Sequence, residues 1–176
     1  MKPRKIILPG LVYLCFFVCC LAAAPAYSYE VRKSIAAGTF YPASAVELRR
    51  LIEAFIVAAE KDAARIPPGD KLKAIIVPHA GYSYSGRSTA YAAALLKGLH
   101  FSKVIVMGPD HRIGFNNACI SDVDAYETPL GRVVIHADAV MLRDRYDIFQ
   151  TIPASDRYEH SIEVVLPFLQ SCLGEF

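Results

Sequence analysis

The chemistry this sequence can offer gathers on three histidines: His79 in Pro78-His79-Ala80-Gly81, His111 in Gly108-Pro109-Asp110-His111, and His160 in Glu159-His160-Ser161. A neutral imidazole is a good ligand for Zn, Fe, Cu or Ni, and its proton exchanges near neutral pH. His79 and His111 follow two short apolar runs, 74–77 and 103–107, rich in β-branched residues and without alternation. Such runs predict strands covered on both faces, as in a parallel sheet. Ligands of parallel α/β sheets collect in the crevice outside the carboxyl ends of the strands. If the two strands are neighbours, ~4.8 Å apart, their histidines converge on one ion. Each histidine alone also fits a hydrogen-bonded structural residue; the matched pair is what points to a shared site. His160 opens a predicted helix, with Glu159 beside it and Glu163 at i+3. Three roles stay open for it: third ligand, general base, or a residue that merely lies near a helix start. That position disfavours the protonated ring and leaves an imidazole able to accept a proton. Tyr82 and Tyr84 are expected to turn phenolic O–H groups into the same pocket, with ordinary packing as the alternative. His100 and His136 lack such settings and are assigned to the surface.

The elements that must position these side chains alternate in type. Ser44-Ala45-Val46-Glu47 has the spacing of a capping box, and Leu48, Leu51, Ile52, Phe55 and Ala59 follow at helical intervals. Ile66-Pro67-Pro68-Gly69-Asp70 closes that helix with a loop. Residues 78–86 read as a loop in which Gly81 and Gly86 permit tight turning, and 88–99 as a small-residue helix ending on Gly98. Short strands are predicted over 118–121 and, after the Thr128-Pro129-Leu130-Gly131 turn, over 132–135. Helices follow over 138–146 and from about 159 to 172, the last kinked or shortened by Pro167. Strand, loop and helix in succession predict an α/β fold with a largely parallel sheet sandwiched by helices.

At 176 residues there is room for one domain, and no repeat or linker divides it. Hydrophobic residues at 54% against 20% charged exclude a disordered or collagen-like chain. Residues 1–28 have the layout of a secretory signal peptide: Lys2, Arg4 and Lys5, an apolar stretch over 11–24, then small residues at Ala24, Ala26 and Ser28. An uncleaved anchor is the alternative. Cleavage removes three positive charges from a formal +2 and leaves the domain, 29–176, at −1. No basic stripe then survives for nucleic acid or an anionic membrane surface. Three of five cysteines also leave, so Cys119 and Cys172 read as buried free thiols, with a single bridge as the alternative. The expected product is exported, periplasmic or extracellular, and free of the membrane after cleavage. No G-x-S-x-G, H-E-x-x-H, P-loop or G-x-G-x-x-G motif supports another standard chemistry.

Four segments carry a resemblance. Ala37-Gly38-Thr39-Phe40-Tyr41-Pro42, the run Pro78-His79-Ala80-Gly81-Tyr82-Ser83-Tyr84-Ser85-Gly86, Gly108-Pro109-Asp110-His111 and Glu159-His160-Ser161-Ile162-Glu163 occur in that order. Together they resemble the Memo family, whose bacterial members are called AmmeMemoRadiSam system protein B. The resemblance implies a fold similar to the class III extradiol dioxygenases, an α/β sandwich around a non-haem metal. It puts His79 and His111 on the two histidine-ligand positions and His160 on the acid–base position. The implied cofactor is a divalent transition metal, Fe, Cu or Zn. The implied activity is metal-dependent redox or dioxygenase-like chemistry; the alternative is a non-catalytic module that binds a peptide or small acid in the same pocket. Association with a radical-SAM system is implied as well. Asp110 departs from the family pattern, and its carboxylate is expected to add a ligand or to orient His111. By the same resemblance the family continues well beyond its Glu-His-Ser-Ile-Glu motif, with the third metal position in that later part. The chain is therefore expected to be truncated and its fold incomplete at the C-terminus.

N-terminal sequencing of the exported product is expected to read a start between Tyr27 and Tyr29. A start at Met1 would make the segment an anchor.

Overall fold

The computed structural model describes residues 28–174 and 176. The expected signal segment lies outside the described residues except for Ser28. Among the described residues no helix is long and apolar enough to cross a membrane.

Ser44 caps α1 (Ala45–Ala59) as its spacing predicts: its hydroxyl accepts the Glu47 N–H at 3.4 Å. One stripe of that helix, Leu48, Ile52, Ile56 and Ala59, is buried. It packs on α2 (Tyr82–Leu96), whose buried face is made of small residues such as Ser85, Gly86, Thr89, Ala90 and Ala93. Gly86 is what allows the approach, since a Cβ there would lie 2.5 Å from the Phe55 ring. The sequence places a loop through Gly86, whereas the helix begins at Tyr82. Serines and a glycine suggest a turn, but Ser85 donates back to the Ala80 carbonyl at 2.7 Å and the glycine serves packing. Phe168 and Tyr41 complete this core with α5 (Leu166–Leu173). Pro167 starts α5 rather than kinking a longer helix, because the first turn of a helix does not use its missing N–H.

The sheets are small. β1 (Val31–Arg32) pairs in parallel with β3 (Ala125–Thr128), which pairs antiparallel with β4 (Gly131–Val134). β2 (Ala118–Cys119) pairs in parallel with β5 (Phe149–Gln150), flanked by α3 (Asp138–Arg145) and α4 (Pro153–Tyr158). Cys119 and Cys172 are half-buried free thiols. The expected mixed α/β class holds. The two runs expected as buried strands differ from expectation: 74–77 and 103–107 form neither helix nor strand, and among the described residues no ladder joins them. Ile75, Val104 and Val106 pack on Leu96, Leu166 and Leu169. Ile76, Ile105 and Met107 point the other way and are exposed, Ile76 completely (100%). Helices cover one face only, so an apolar run without alternation in sequence becomes one-sided in space. The described residues accordingly form two small sheets rather than one parallel sheet between helix layers.

One carboxylate ties the ends of this body together. Glu163 is fully buried (0% exposed). Its oxygens accept from Ser34 Oγ and Tyr41 Oη at 2.7 Å each, from the Ala36 N–H at 2.9 Å, from the Ile35 N–H at 3.1 Å and from Arg32 Nη1 at 2.8 Å. The Arg32 guanidinium also donates through Nε to the Asp156 carbonyl at 2.7 Å and through Nη2 to the Glu159 carbonyl, while stacking over Tyr126 at 4.8 Å.

Burial opposes the charged form of Glu163, but hydrogen bonds from Ser34, Tyr41 and the Ala36 and Ile35 amides outweigh it and hold the carboxyl below its ordinary value. A carboxylate depressed in the folded state contributes stability above its unfolded pKa and loses it as pH falls through the folded value. Glu163→Gln is expected to lower the unfolding free energy at neutral pH by roughly 3–5 kcal/mol, because Arg32 is left buried without its partner. It should also flatten the loss on acidification. Denaturant titrations from neutral pH down through the carboxylate range measure both effects.

Candidate functional site

Three separate pieces of chain deliver the three histidines. The segment after 74–77 carries His79 to the start of α2, the loop after 103–107 carries His111, and the turn between α4 and α5 carries His160. The second and third pieces touch through Gly108. A Cβ there would lie 2.8 Å from Ser161 Cβ and closer still to its hydroxyl, so only glycine permits the approach. Ser161 Oγ then donates to the Pro109 carbonyl at 2.9 Å.

Asp110 folds the loop that presents His111. Its Oδ1 accepts the N–H groups of Arg112, Ile113 and Gly114 at 3.0, 2.6 and 2.8 Å, and Ser155 donates to Oδ2. The Ser155 hydroxyl first, then those amides, hold its carboxyl well below the usual range. Both oxygens are thus engaged in loop structure, which sets the backbone on which His111 stands.

The imidazoles converge. His79 Nε2 and His111 Nε2 are 3.3 Å apart, with ring centroids at 5.1 Å. His160 stacks on His111 at 4.9 Å with an interplanar angle of 22°, and lies 6.2 Å from His79. Phe40 packs against His160 with ring centroids 4.5 Å apart and planes tilted by 46°. Burial pushes the His160 imidazole down from its ordinary pKa; Glu159 opposes this, while His111, His79 and Arg112 add to it. The neutral ring is favoured.

Glu159 lies between two of these rings. Oε1 is 2.9 Å from His111 Nδ1, accepts the His160 and Ser161 N–H groups at 2.7 and 2.8 Å, and is 3.4 Å from His160 Nδ1. Oε2 accepts the His111 N–H at 2.6 Å. Burial raises its pKa, but the His111 ring and the three amides prevail and bring the carboxyl down to about 2. His111, Glu159 and His160 offer ligand atoms that all lie within 4.8 Å of one another, a grouping that could hold a metal ion.

Tyr82 is buried, and its hydroxyl donates to the Val164 carbonyl at 2.9 Å while its ring packs on Tyr41 and Phe168. Its phenol is used by the fold. Tyr84 is 86% exposed. His100 and His136 are exposed, and His136 Nδ1 accepts the Asp138 N–H at 3.1 Å. The sequence singles out His79, His111 and His160 by their motif settings but assigns no role to Glu159. Its signal was a carboxylate placed just before two amides at a chain turn, where its oxygens can accept both N–H groups. Arg32, which fastens that turn from 127 positions away, leaves no local signal.

A mixed α/β body with a histidine cluster where its loops meet defines the class. The Memo-like protein family matches residues 32–176, and the chain belongs to it. A MEMO1 family protein of Thermoplasma volcanium is 37% identical over 147 residues, covering 82% of this chain and 52% of the relative. One of Aquifex aeolicus is 38% identical over 142 residues, covering 80% and 50%. The memo-1 homolog of Caenorhabditis elegans is 30% identical over 149 residues, covering 84% and 41%. The chain spans about half the length of the curated relatives it matches.

Gly108→Ala is expected to push the His111 loop off Ser161. Overpacking of this kind typically destabilises by about 1–3 kcal/mol. Thermal unfolding measures the loss, and ring resonances of His111 and His160 should shift together in NMR spectra.

Proposed function

We propose that this chain supplies two histidine ligands, His79 and His111, and an acid–base histidine, His160, to a non-haem centre of the class III extradiol dioxygenase type. The observation that carries this reading is the 3.3 Å approach of the two Nε2 atoms. Two imidazole nitrogens bound at ~2.0–2.1 Å to a tetrahedral ion stand roughly 3.3–3.4 Å apart. The donor set therefore fits a borderline divalent metal, Fe, Cu or Zn. When bound, that metal would supply Lewis acidity or redox capacity for a small-molecule or peptide ligand.

The chain's own residues do the rest. His160 is kept neutral by burial and can take a proton from a ligand hydroxyl. Its Nδ1 lies 3.4 Å from Glu159 Oε1, so the carboxylate's charge would stabilise the protonated ring. Phe40 shields the ring from water on one side. In this reading 74–77 and 103–107, which no ladder joins among the described residues, stand side by side as strands of a parallel sheet, and that placement would account for the meeting of the histidines that follow them. We further propose, from the layout of residues 1–28, that the chain is exported, and from the family resemblance that it works beside a radical-SAM protein.

Titration of the chain with Zn(II) and with anaerobic Fe(II) tests the metal reading. His79→Ala and His111→Ala are each expected to weaken binding at least tenfold, about 1.4 kcal/mol, and His160→Ala much less. Affinity should fall as pH drops through about 6.5, where free imidazoles protonate. Equal affinity in the wild type and the His79→Ala/His111→Ala double variant would overturn the proposal.

A further inference from the structure

We propose that Glu159 is the positioning residue of this pocket: it fixes the tautomer of His111 and is not itself a metal ligand. The proposal rests on the metal reading above for its purpose, and on hydrogen-bond geometry for its substance. An ionised carboxylate offers about four lone-pair sites. Three donors meet Glu159 Oε1, the His111 ring and the backbone N–H groups of His160 and Ser161, and one meets Oε2, the His111 N–H. An ion bound at Oε1 would have to displace a donor that now holds one of the histidine loops in place. That sets Oε1, the oxygen nearest both rings, apart from the ligand role its place between His111 and His160 would otherwise suggest.

The geometry instead gives it a directing role. A carboxylate is an acceptor only, so the contact at 2.9 Å requires the proton of His111 to sit on Nδ1. The lone pair is then on Nε2, the atom that faces His79 Nε2 at 3.3 Å. A carboxylate behind a histidine sets both the tautomer and the ring orientation of a ligating imidazole, and losing one typically weakens metal binding 10–100-fold. Glu159 is itself held in place. Its side chain is 12% exposed, and its carbonyl accepts the Arg32 guanidinium.

Long-range proton–nitrogen NMR spectra of the labelled, metal-free chain read the tautomer directly. His111 should carry its proton on Nδ1, and Glu159→Leu, which removes the acceptor, should shift it toward Nε2. Zinc added to the wild type should move the Nε2 resonances of His79 and His111 while leaving the hydrogen-bonded amides of His160 and Ser161 in place. Glu159→Leu should bind Zn(II) 10–100-fold more weakly. Finding the His111 proton on Nε2 in the wild type would overturn the proposal, and needs no variant to fold. So would release of the His160 and Ser161 amides on adding zinc, which would make Glu159 a ligand. A chain that binds no zinc yet shows His111 protonated on Nδ1 in a Glu159-dependent way would sink the metal reading and uphold the positioning role.

Discussion

Burying a carboxylate and a guanidinium together is tolerable only when nearly every polar atom of both is hydrogen-bonded. Glu163 and Arg32 meet that condition, and the meeting organises the molecule. Glu163 collects the Ser34 and Tyr41 hydroxyls and the amides of Ile35 and Ala36, which bends the N-terminal segment around the carboxylate. Arg32 reaches past Glu163 to the carbonyls of Asp156 and Glu159, which fixes the turn carrying His160. Phe40, in the segment so bent, is thereby laid against the His160 ring. A pair 131 positions apart in sequence thus sets the geometry of a histidine that neither residue touches. Such a pair adds little net stability over an apolar replacement, but breaking it costs several kcal/mol. Its value here is the single arrangement it enforces.

Around that anchor, the histidine cluster is assembled from loops, each satisfied internally. Asp110 gathers three amides of its own loop, and Glu159 gathers three amides from two loops. Both carboxylates hold backbone rather than solvent, which is how irregular chain can be rigid without a ladder. Gly108 brings these two loops to contact distance. Precision at the site therefore comes from polar saturation, and the apolar core under α1, α2 and α5 contributes mainly a platform.

How far this was legible in the sequence depends on how local each cause is. The start of α1 was legible because Ser44 and Glu47 act over a single turn. The histidines were legible through their motif settings, and the family followed from those same segments in order. The start of α2 was not, since Ser83, Ser85 and Gly86 mimic a turn while serving close helix packing. The two apolar runs were read as two-sided, since a sequence shows that residues are apolar but not on which side a covering layer lies. Arg32, Glu159 and Glu163 were the hardest: their partners lie far along the chain or on backbone amides, where composition carries no trace.

The bare side of 74–77 and 103–107 has a consequence for handling the protein. Ile76, Ile105 and Met107 are exposed along segments that no ladder closes among the described residues. Unpaired backbone with exposed apolar side chains is the form from which strands recruit other strands. Charged residues introduced at these three positions are expected to raise the solubility of this chain without touching the histidines.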